Sequence, residues 1–478
     1  MKVIGDSLPR RFKAKASGSI TAGKPVIVEA DGDVAQVATS AAAVGTPAVF
    51  ENSELADPFV VYDSNAQKVV IAYRDRGNSD YGTAIVGTVS DTSISFGSSA
   101  VFESATSTYM YAAYDANAQK VVIVYSDGGN SQYGTAVVGT VSGTSISFGT
   151  AVVFESAFID FPSVAYDSNA QKVVIAFRDV GNSNYGTAIV GTVSGTSISF
   201  GSAAVFESAN TNDVEAVYDA SAQKVVILYR DNGNSDYGTG IVGTVSGTSI
   251  SFGSAAVFES AKSEYMSAVY DSNAQKIVVA YRDGGNSNYG TAVVGTVSGT
   301  SITFGSATVF ESADIPFLSA VYDSKNQKVF IAYEDTGNSS YGTFVSGTVS
   351  GNSISFESPA VFDSTDSDKI AAAYDANAER VVIAYRDGGN SEYGTAVVVR
   401  PASTNLTSEN FIGIAEYAAS DTETATVLIK GGVSTTQSSL TAGQTYFVQG
   451  DGTIATSADS PSVTAGTAVT STKLIVKG

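Results

Sequence analysis

The sequence has no cysteine, no histidine and no tryptophan among its 478 residues. Without cysteine, no disulfide can hold the fold and no thiol can act as a nucleophile. Without histidine, the commonest general base and the commonest metal ligand are both missing. No apolar run is long enough to cross a membrane as a helix. These absences disfavour an enzyme, and we expect no catalytic residues, no bound metal and no cofactor.

Basic residues are also scarce. Lysine and arginine number 26 against 47 aspartates and glutamates, which leaves a formal net charge of −21. Such a charge repels nucleic acid and anionic lipid, so we expect neither nucleic acid nor a membrane as a partner. The opening stretch, MKVIGDSLPRRFKAKAS, lacks the apolar run of a secretory signal, so we expect synthesis in a cytoplasm. A hydrophobic content of 43 % indicates a folded chain.

What the sequence does contain is a unit of 52 residues that occurs seven times. The dipeptide Tyr-Asp marks each copy, at Tyr62, Tyr114, Tyr166, Tyr218, Tyr270, Tyr322 and Tyr374. In the fifth copy, short polar turns separate four runs with strand character, at residues 267–271, 276–283, 289–298 and 301–311. A fixed period without any helical pattern predicts copied four-stranded antiparallel sheets that pack face to face.

The ends of the repeat favour a ring over a linear stack. The seventh copy stops after its third strand, at residues 395–399, and its missing fourth strand reappears before the first copy, at residues 44–51. A linear stack needs polar caps at its ends, whereas a permuted strand closes a ring. We therefore predict an all-β protein in which residues 41–401 form a seven-bladed β-propeller.

The residues outside the repeat resemble each other. Residues 19–35 align without gaps to residues 439–455, and each segment reads as a hairpin with an Asp-Gly turn. We predict that residues 1–40 and 402–478 together build a small β-sandwich or barrel-like domain, into which the propeller is inserted.

The stretch FIGIAEYAASDTETATVLIKGG, from Phe411, resembles a module of tailed-bacteriophage virion proteins such as tail fibres and decoration proteins. The resemblance covers residues 402–478 and the N-terminal hairpin. It implies a virion structural protein, made in the host cytoplasm, exposed on the particle surface and extracellular after lysis. Its expected partners are other virion proteins, bound through the flanking domain, and a host surface glycan or protein. A homo-oligomer or an array is expected.

The motif Asp-x-Gly-Asn-Ser-x-Tyr-Gly-Thr occurs in all seven copies, at residues 75–83 in the first. It resembles the Asp-box of sialidase-type propellers, although its aromatic residue is a tyrosine one position later. In that family the box is a folding element remote from catalysis. We expect the aspartate to cap a turn, the glycine to take a positive φ and the tyrosine to pack between copies.

An arginine precedes this motif in five of the seven copies, at Arg74, Arg178, Arg230, Arg282 and Arg386. Arginines clustered in a propeller could bind a carboxylate sugar, as sialidases do. Identical copies lack the unique residues that such an enzyme needs, so we favour ion pairs with neighbouring aspartates or glutamates.

The copies differ most in one segment, between the fourth strand of one copy and the first strand of the next. Its first half shares almost nothing between copies, whereas the turns on the opposite edge barely change. The diversity therefore falls on one face of the predicted ring, near the central channel, either by drift in a loop or because the segment binds a ligand. Its large side chains favour binding. The candidate ligand-binding residues are Phe59, Tyr109, Met110, Tyr111, Phe158, Phe161, Tyr265, Met266 and Phe317.

Three functions compete at this point. We favour a virion surface protein that displays the propeller for adhesion to a receptor or glycan. The alternative is a purely structural subunit, for capsid decoration or filament formation, whose propellers contact each other. A glycan hydrolase is the least favoured, because near-identical copies offer no unique pair of carboxylates.

Overall fold

The computed structural model describes residues 10–459 and 461–477. In these two ranges the regular structure is β-strand with a few 3₁₀ turns, and there is no α-helix. None of the described residues belongs to a helix that could cross a lipid bilayer. The chain divides into two compact units, residues 43–400 and residues 1–42 together with 401–478. The prediction of an all-β protein built from repeated four-stranded units is confirmed.

Each copy in residues 43–400 adds antiparallel strands in the same order. The long strands are Ala48–Asp63, Ala100–Asp115, Val152–Asp167, Ala204–Asp219, Ala256–Asp271 and Ala360–Asp375, and the sixth copy has Thr308–Asp314 followed by Leu318–Asp323. The second strands are Lys68–Asp75, Lys120–Asp127, Lys172–Asp179, Lys224–Asp231, Lys276–Asp283, Lys328–Asp335 and Arg380–Asp387. The third strands are Tyr81–Ser90, Tyr133–Ser142, Tyr185–Ser194, Tyr237–Ser246, Tyr289–Ser298, Tyr341–Ser350 and Tyr393–Arg400. The short strands are Ala43–Val44, Ser93–Phe96, Ser145–Phe148, Ser197–Phe200, Ser249–Phe252, Ser301–Phe304 and Ser353–Phe356.

Each long strand belongs to two successive copies. Its first half pairs with the third strand of the copy before, as Ala100 does with Ala84, and its second half pairs with the second strand of its own copy, as Asp115 does with Lys120. The sequence pattern predicted two strands joined by a variable loop. That prediction is wrong for six copies, in which a bulge within one continuous strand makes the change of direction, and only the sixth copy has two separate strands.

The second strands form the core. Val69, Val70 and Ile71 are all fully buried, so neighbouring side chains are covered on both faces of the sheet. The cluster that contains Val122 of the second copy also contains Ile175 of the third, so the core of the unit lies between adjacent copies. In the same way, Val69 of the first copy shares a cluster with residues of the seventh copy.

The Tyr-Asp dipeptide fixes a turn and links it to the next copy. The Asp63 carboxylate accepts hydrogen bonds from the Asn65 and Ala66 amides, at 3.0 and 2.9 Å. The Asn65 amide also donates to the Tyr114 hydroxyl of the second copy, at 3.2 Å. The equivalent bond runs from the Asn377 amide of the seventh copy to the Tyr62 hydroxyl of the first, at 3.2 Å.

The third strand of the seventh copy pairs with the N-terminal side of the repeat. Thr395 lies opposite Val49, and Val399 lies opposite Val44. These N-terminal residues occupy the place that the short strand and the following long strand take in the other copies.

The Asp-x-Gly turn differs from its prediction in one respect. The Asp75 carboxylate caps the turn by accepting from the Asn78 amide at 3.0 Å, as expected. Gly77, however, has no positive φ; the left-handed residues are Ser79 and Asp80, with φ of 61° and 62°. Gly77 is required for space, because a Cβ there would lie 2.6 Å from the Ser53 side chain.

The second unit contains two five-stranded sheets. One has the strand order Arg11–Lys15, Thr424–Leu428, Phe411–Ala415, Pro25–Val28, Val34–Gln36, and the other Val433–Ser434, Lys473–Val476, Val463–Thr470, Thr445–Val448, Ile454–Ala455. Thr39–Ser40 and Ser403–Thr404 pair separately. The two hairpins that align in sequence hold the same place in each sheet. Residues 1–9 of this unit lie outside the described residues.

Candidate functional site

A β-bulge interrupts the middle of each unbroken long strand. In the first copy Ala56 pairs with Arg74 and Phe59 with Ala72, so two residues of the long strand stand opposite one residue of its partner. The first bulge residue has a φ between 46° and 52° in six copies, at Asp57, Tyr109, Phe161, Asp213, Tyr265 and Lys369. A bulge bends a strand and redirects its side chains. In the sixth copy Pro316 precedes the equivalent Phe317, and the strand is broken there.

The bulges of six copies and the equivalent break in the sixth copy line one cavity of about 430 Å³. Each copy contributes its first bulge residue, which is Asp57, Tyr109, Phe161, Asp213, Tyr265, Phe317 or Lys369. Tyr109 and Tyr265 are 39 % and 42 % exposed, so the cavity wall reaches solvent. The variable segment of the sequence therefore maps onto the wall of a single concave surface.

Most of the predicted ligand-binding residues meet at this cavity. Phe59, Tyr109, Met110, Tyr111, Phe161, Tyr265, Met266 and Phe317 all line it. Phe158 is not among the lining residues; its backbone pairs with Tyr133 in the neighbouring third strand. Phe158 precedes the bulge by three positions, so it lies on the part of the strand that still belongs to the previous sheet. A ligand-binding role for the other eight stays a prediction.

Aromatic rings from adjacent copies pair along the wall. The ring centroids of Phe59 and Tyr111 are 4.6 Å apart, and those of Tyr109 and Phe161 are 5.5 Å apart. Tyr265 contacts Phe317 edge-on, also at 5.5 Å. The Lys369 ammonium lies 4.5 Å from the centre of the Phe317 ring. These contacts hold large, rigid side chains in place while leaving part of their surface open.

The five arginines that precede the Asp-x-Gly motif all form ion pairs with aspartates or glutamates, which confirms the prediction of ion pairs. Arg74 contacts Asp57 at 3.1 Å, and Arg230 contacts both Asp213 at 3.0 Å and Glu264 of the next copy at 3.2 Å. The remaining pairs are Arg178 with Asp160, Arg282 with Glu264 and Asp314, and Arg386 with Asp368 and Glu54. Because their charges are neutralised within the protein, these arginines are not a ready site for an anionic sugar.

The sixth copy has Glu334 where five copies have the arginine. Burial raises the pKa of its carboxyl to about 7, and the nearby Asp314, Asp366 and Asp368 add to that shift. In the described ranges, no group of three or more acidic side chains is placed to hold a metal ion.

Glu215 is a lining residue that the sequence analysis missed. Its carboxylate accepts a hydrogen bond from the Ser163 hydroxyl at 3.1 Å, and the Ser163 oxygen in turn accepts from the Ala216 amide at 3.0 Å. Burial raises the pKa of the Glu215 carboxyl to about 8. The available signal was its place in the repeat: it takes the position of Phe59 and Tyr111, where every other copy has an uncharged residue.

Comparison with known proteins identifies a fold and no family. No family model matches the chain, and no curated protein matches its sequence. Among solved structures, the BP39L lectin from Burkholderia pseudomallei aligns with a TM-score of 0.54 at 9 % identity, over 75 % of this chain and 99 % of that one. A protein of unknown function from Dyadobacter fermentans aligns with a TM-score of 0.46 at 11 % identity, over 76 % and 98 %. The SapL1 lectin, solved with alpha methyl fucoside, aligns with a TM-score of 0.38 at 11 % identity, over 64 % and 96 %.

Proposed function

We propose that residues 43–400 form a seven-bladed β-propeller that binds carbohydrate in the cavity lined by the bulges. The observation that carries the proposal is the convergence of the variable, aromatic-rich residues of seven near-identical copies on one wall. In six copies these residues lie in paired strands rather than in a free loop, so their side chains are held in fixed places along the wall. Fold similarity to the BP39L lectin supports a binding role, and the proposal assigns no reaction to the protein.

Contacts between the seventh and first copies support the ring. They repeat the contacts between neighbouring copies: the Asn377 to Tyr62 hydrogen bond, the Thr395 to Val49 pairing and a shared hydrophobic cluster. Arg386 of the seventh copy also contacts Glu54 of the first at 3.1 Å. A linear stack would leave its two ends without these partners.

The composition of the wall suits a sugar. The faces of a sugar ring carry C–H groups that pack on aromatic rings, and its hydroxyls need a small number of fixed polar partners. The wall supplies half-exposed rings at Tyr109 and Tyr265, together with polar groups at Ser163, Glu215 and Ser267.

We further propose that the protein is a virion surface protein, with the second unit as its attachment module and a host surface glycan as its ligand. The resemblance of residues 402–478 to phage virion modules supports this placement. Immunogold labelling of purified particles with antibody against residues 45–400 tests it: label on the tail or head supports the placement, and unlabelled particles refute it.

Carbohydrate binding is tested on a glycan array with the full-length protein and two variants. Phe161→Ser removes a ring that lines the cavity, whereas Phe158→Ser removes a ring three residues away that does not. We expect Phe161→Ser to lose glycan binding and Phe158→Ser to keep it. Equal binding by all three proteins would remove the cavity as the site, and no binding by the unaltered protein would favour the purely structural alternative.

A further inference from the structure

At one position of the cavity wall, a single copy carries a carboxylic acid and the other six do not. The residue two positions after the start of each bulge is Phe59, Tyr111, Ser163, Glu215, Ser267, Ser319 or Ala371. Glu215 is the one ionisable acid in this series. Serine at three of the other positions serves the fold: Ser163, Ser267 and Ser319 each accept a hydrogen bond, at 3.0 Å, from the amide of the residue that follows this position in the next copy.

The groups that face the Glu215 carboxyl come from three neighbouring long strands. They are the Ser163 hydroxyl, the Tyr111 hydroxyl and the Ala268 backbone amide. Each of these is neutral at pH 7. Asp213, two residues away on the same strand, is an acid and adds negative potential around Tyr111.

Glu215 lacks the counter-charge that the other acids of this wall possess. Asp57 pairs with Arg74, and Asp213 pairs with Arg230. No lysine or arginine of the described residues forms an ion pair with Glu215, and Lys369 lies three copies further along the chain, over the Phe317 ring. A carboxylate held in a partly buried wall without a cation is unfavourable, which favours the protonated form of Glu215 in the free protein.

We propose that the cavity receives an ammonium group, with Glu215 as its counter-ion and the neighbouring aromatic rings as its walls. Aromatic faces attract cations, and a carboxylate completes the site. This inference rests on the proposed function and narrows it: the ligand is a sugar with a free amine rather than a neutral or an acidic sugar. The arginines beside the cavity are all paired with carboxylates, and Lys369, the one lysine among the lining residues, lies over the Phe317 ring.

Binding of an amine at this site changes the protonation of Glu215. The free protein holds Glu215 as a neutral carboxylic acid at pH 7, because burial raises the pKa of this group to about 8. An amine that arrives as the ammonium ion pairs with the carboxylate, so the acid proton leaves to solvent. An amine that arrives neutral takes that proton from Glu215 itself, and nothing is released. A neutral sugar that binds the same cavity leaves the proton on Glu215.

The experiment is isothermal titration calorimetry of the full-length protein at pH 7 with a glucosamine tetrasaccharide and its fully N-acetylated counterpart. The two probes have the same backbone and differ in the charge of the nitrogen. Repeating the titrations in buffers of different ionisation enthalpy counts the protons released. We expect the amine to bind about 10- to 100-fold more tightly than the acetylated probe, with a proton release per site that approaches the fraction of the amine already protonated in solution.

Glu215→Gln is the test variant and Glu334→Gln its control, since Glu334 is a buried acid that does not line the cavity. Glu215→Gln should abolish both the preference for the amine and the proton release, and Glu334→Gln should preserve both. Tighter or equal binding of the acetylated probe would overturn the inference while leaving carbohydrate binding intact. No binding of either probe, together with an empty glycan array, would remove the proposed function as well.

Discussion

Substituting alanine for Gly201 tests how closely successive copies approach each other. A Cβ at Gly201 would lie 1.8 Å from the carbonyl oxygen of Thr248, which belongs to the turn of the next copy. The same approach, within 1.9 Å, recurs at Gly45, Gly97, Gly149, Gly253 and Gly305. The obstacle is backbone rather than a flexible side chain, so the two copies must move apart by more than an ångström.

The expected cost of Gly201→Ala is that of overpacking a core, about 2–4 kcal/mol, because both neighbours are held by strand pairing. For a unit of this size, that cost lowers the thermal midpoint by roughly 3–5 °C. Circular dichroism in the near and far ultraviolet, followed during heating, measures the shift.

Two variants separate this steric effect from a general effect of alanine. Gly247→Ala has open space around its Cβ and a φ of 63°, so it carries only the conformational cost of about 1 kcal/mol. At position 357 the sequence already has glutamate in place of the repeated glycine, and the seventh copy ends before it could supply an approaching turn. Glu357→Ala should therefore melt within about 2 °C of the unaltered protein. A Gly201→Ala protein as stable as the Glu357→Ala protein would refute the close approach.

Three further predictions concern the Glu215 carboxyl, the hydrogen bond between Tyr229 and Glu207, and the strand pairing of residues 45–51. The free energy of unfolding should fall as the pH rises from about 4.5 to about 8, because the Glu215 carboxyl loses its proton at a lower pH in the unfolded chain than in the folded protein. The expected fall is a few kcal/mol and at most about 5 kcal/mol. Glu215→Gln should flatten this slope in urea titrations at several pH values, and an unchanged slope would contradict the burial of this group. Tyr229→Phe removes the hydroxyl that donates to Glu207 at 3.1 Å and should lower the free energy of unfolding by about 1 kcal/mol. Phe177→Tyr adds a hydroxyl at the equivalent place beside Glu155 and should not destabilise the protein by more than about 0.5 kcal/mol. Equal effects of the two changes on the urea midpoint would speak against the hydrogen bond between Tyr229 and Glu207. Deleting residues 45–51 removes the partner of Thr395 and exposes the edge of the last third strand, so the protein should melt earlier and aggregate on heating. A deletion variant with an unchanged midpoint by scanning calorimetry and no light scattering would show that this pairing is dispensable.

The sequence determined the repeating part of the fold because each copy carries its own local signals. Lys276 to Asp283 is continuously apolar and β-branched at its centre, which is the pattern of a strand covered on both faces, and Asp283 is followed by turn residues. Seven repetitions of such a pattern remove the ambiguity that a single short strand would carry. The role of the five arginines could also be predicted from the repetition. Near-identical copies cannot provide the unique residues of an active site, so ion pairs with carboxylates were the better prediction.

The bulge could not be read from the chain. A residue such as Tyr109 has no local preference for a positive φ, and it adopts one because its strand must leave one sheet and enter the next. Without the bulge, the variable segment read as a loop and Phe158 appeared equivalent to Phe161.

The cavity likewise depends on tertiary packing and could not be predicted from the sequence. Phe59, Tyr111 and Glu215 are separated by whole copies in the sequence, and only the packing of successive sheets brings Tyr111 and Ser163 to the Glu215 carboxyl. The sequence alone determined the strands, the turns and the period, because those depend on residues near one another in the chain. The tertiary structure decided which side chains share a surface and which of them lacks a counter-charge, because burial and electrostatic pairing depend on neighbours that no local pattern specifies.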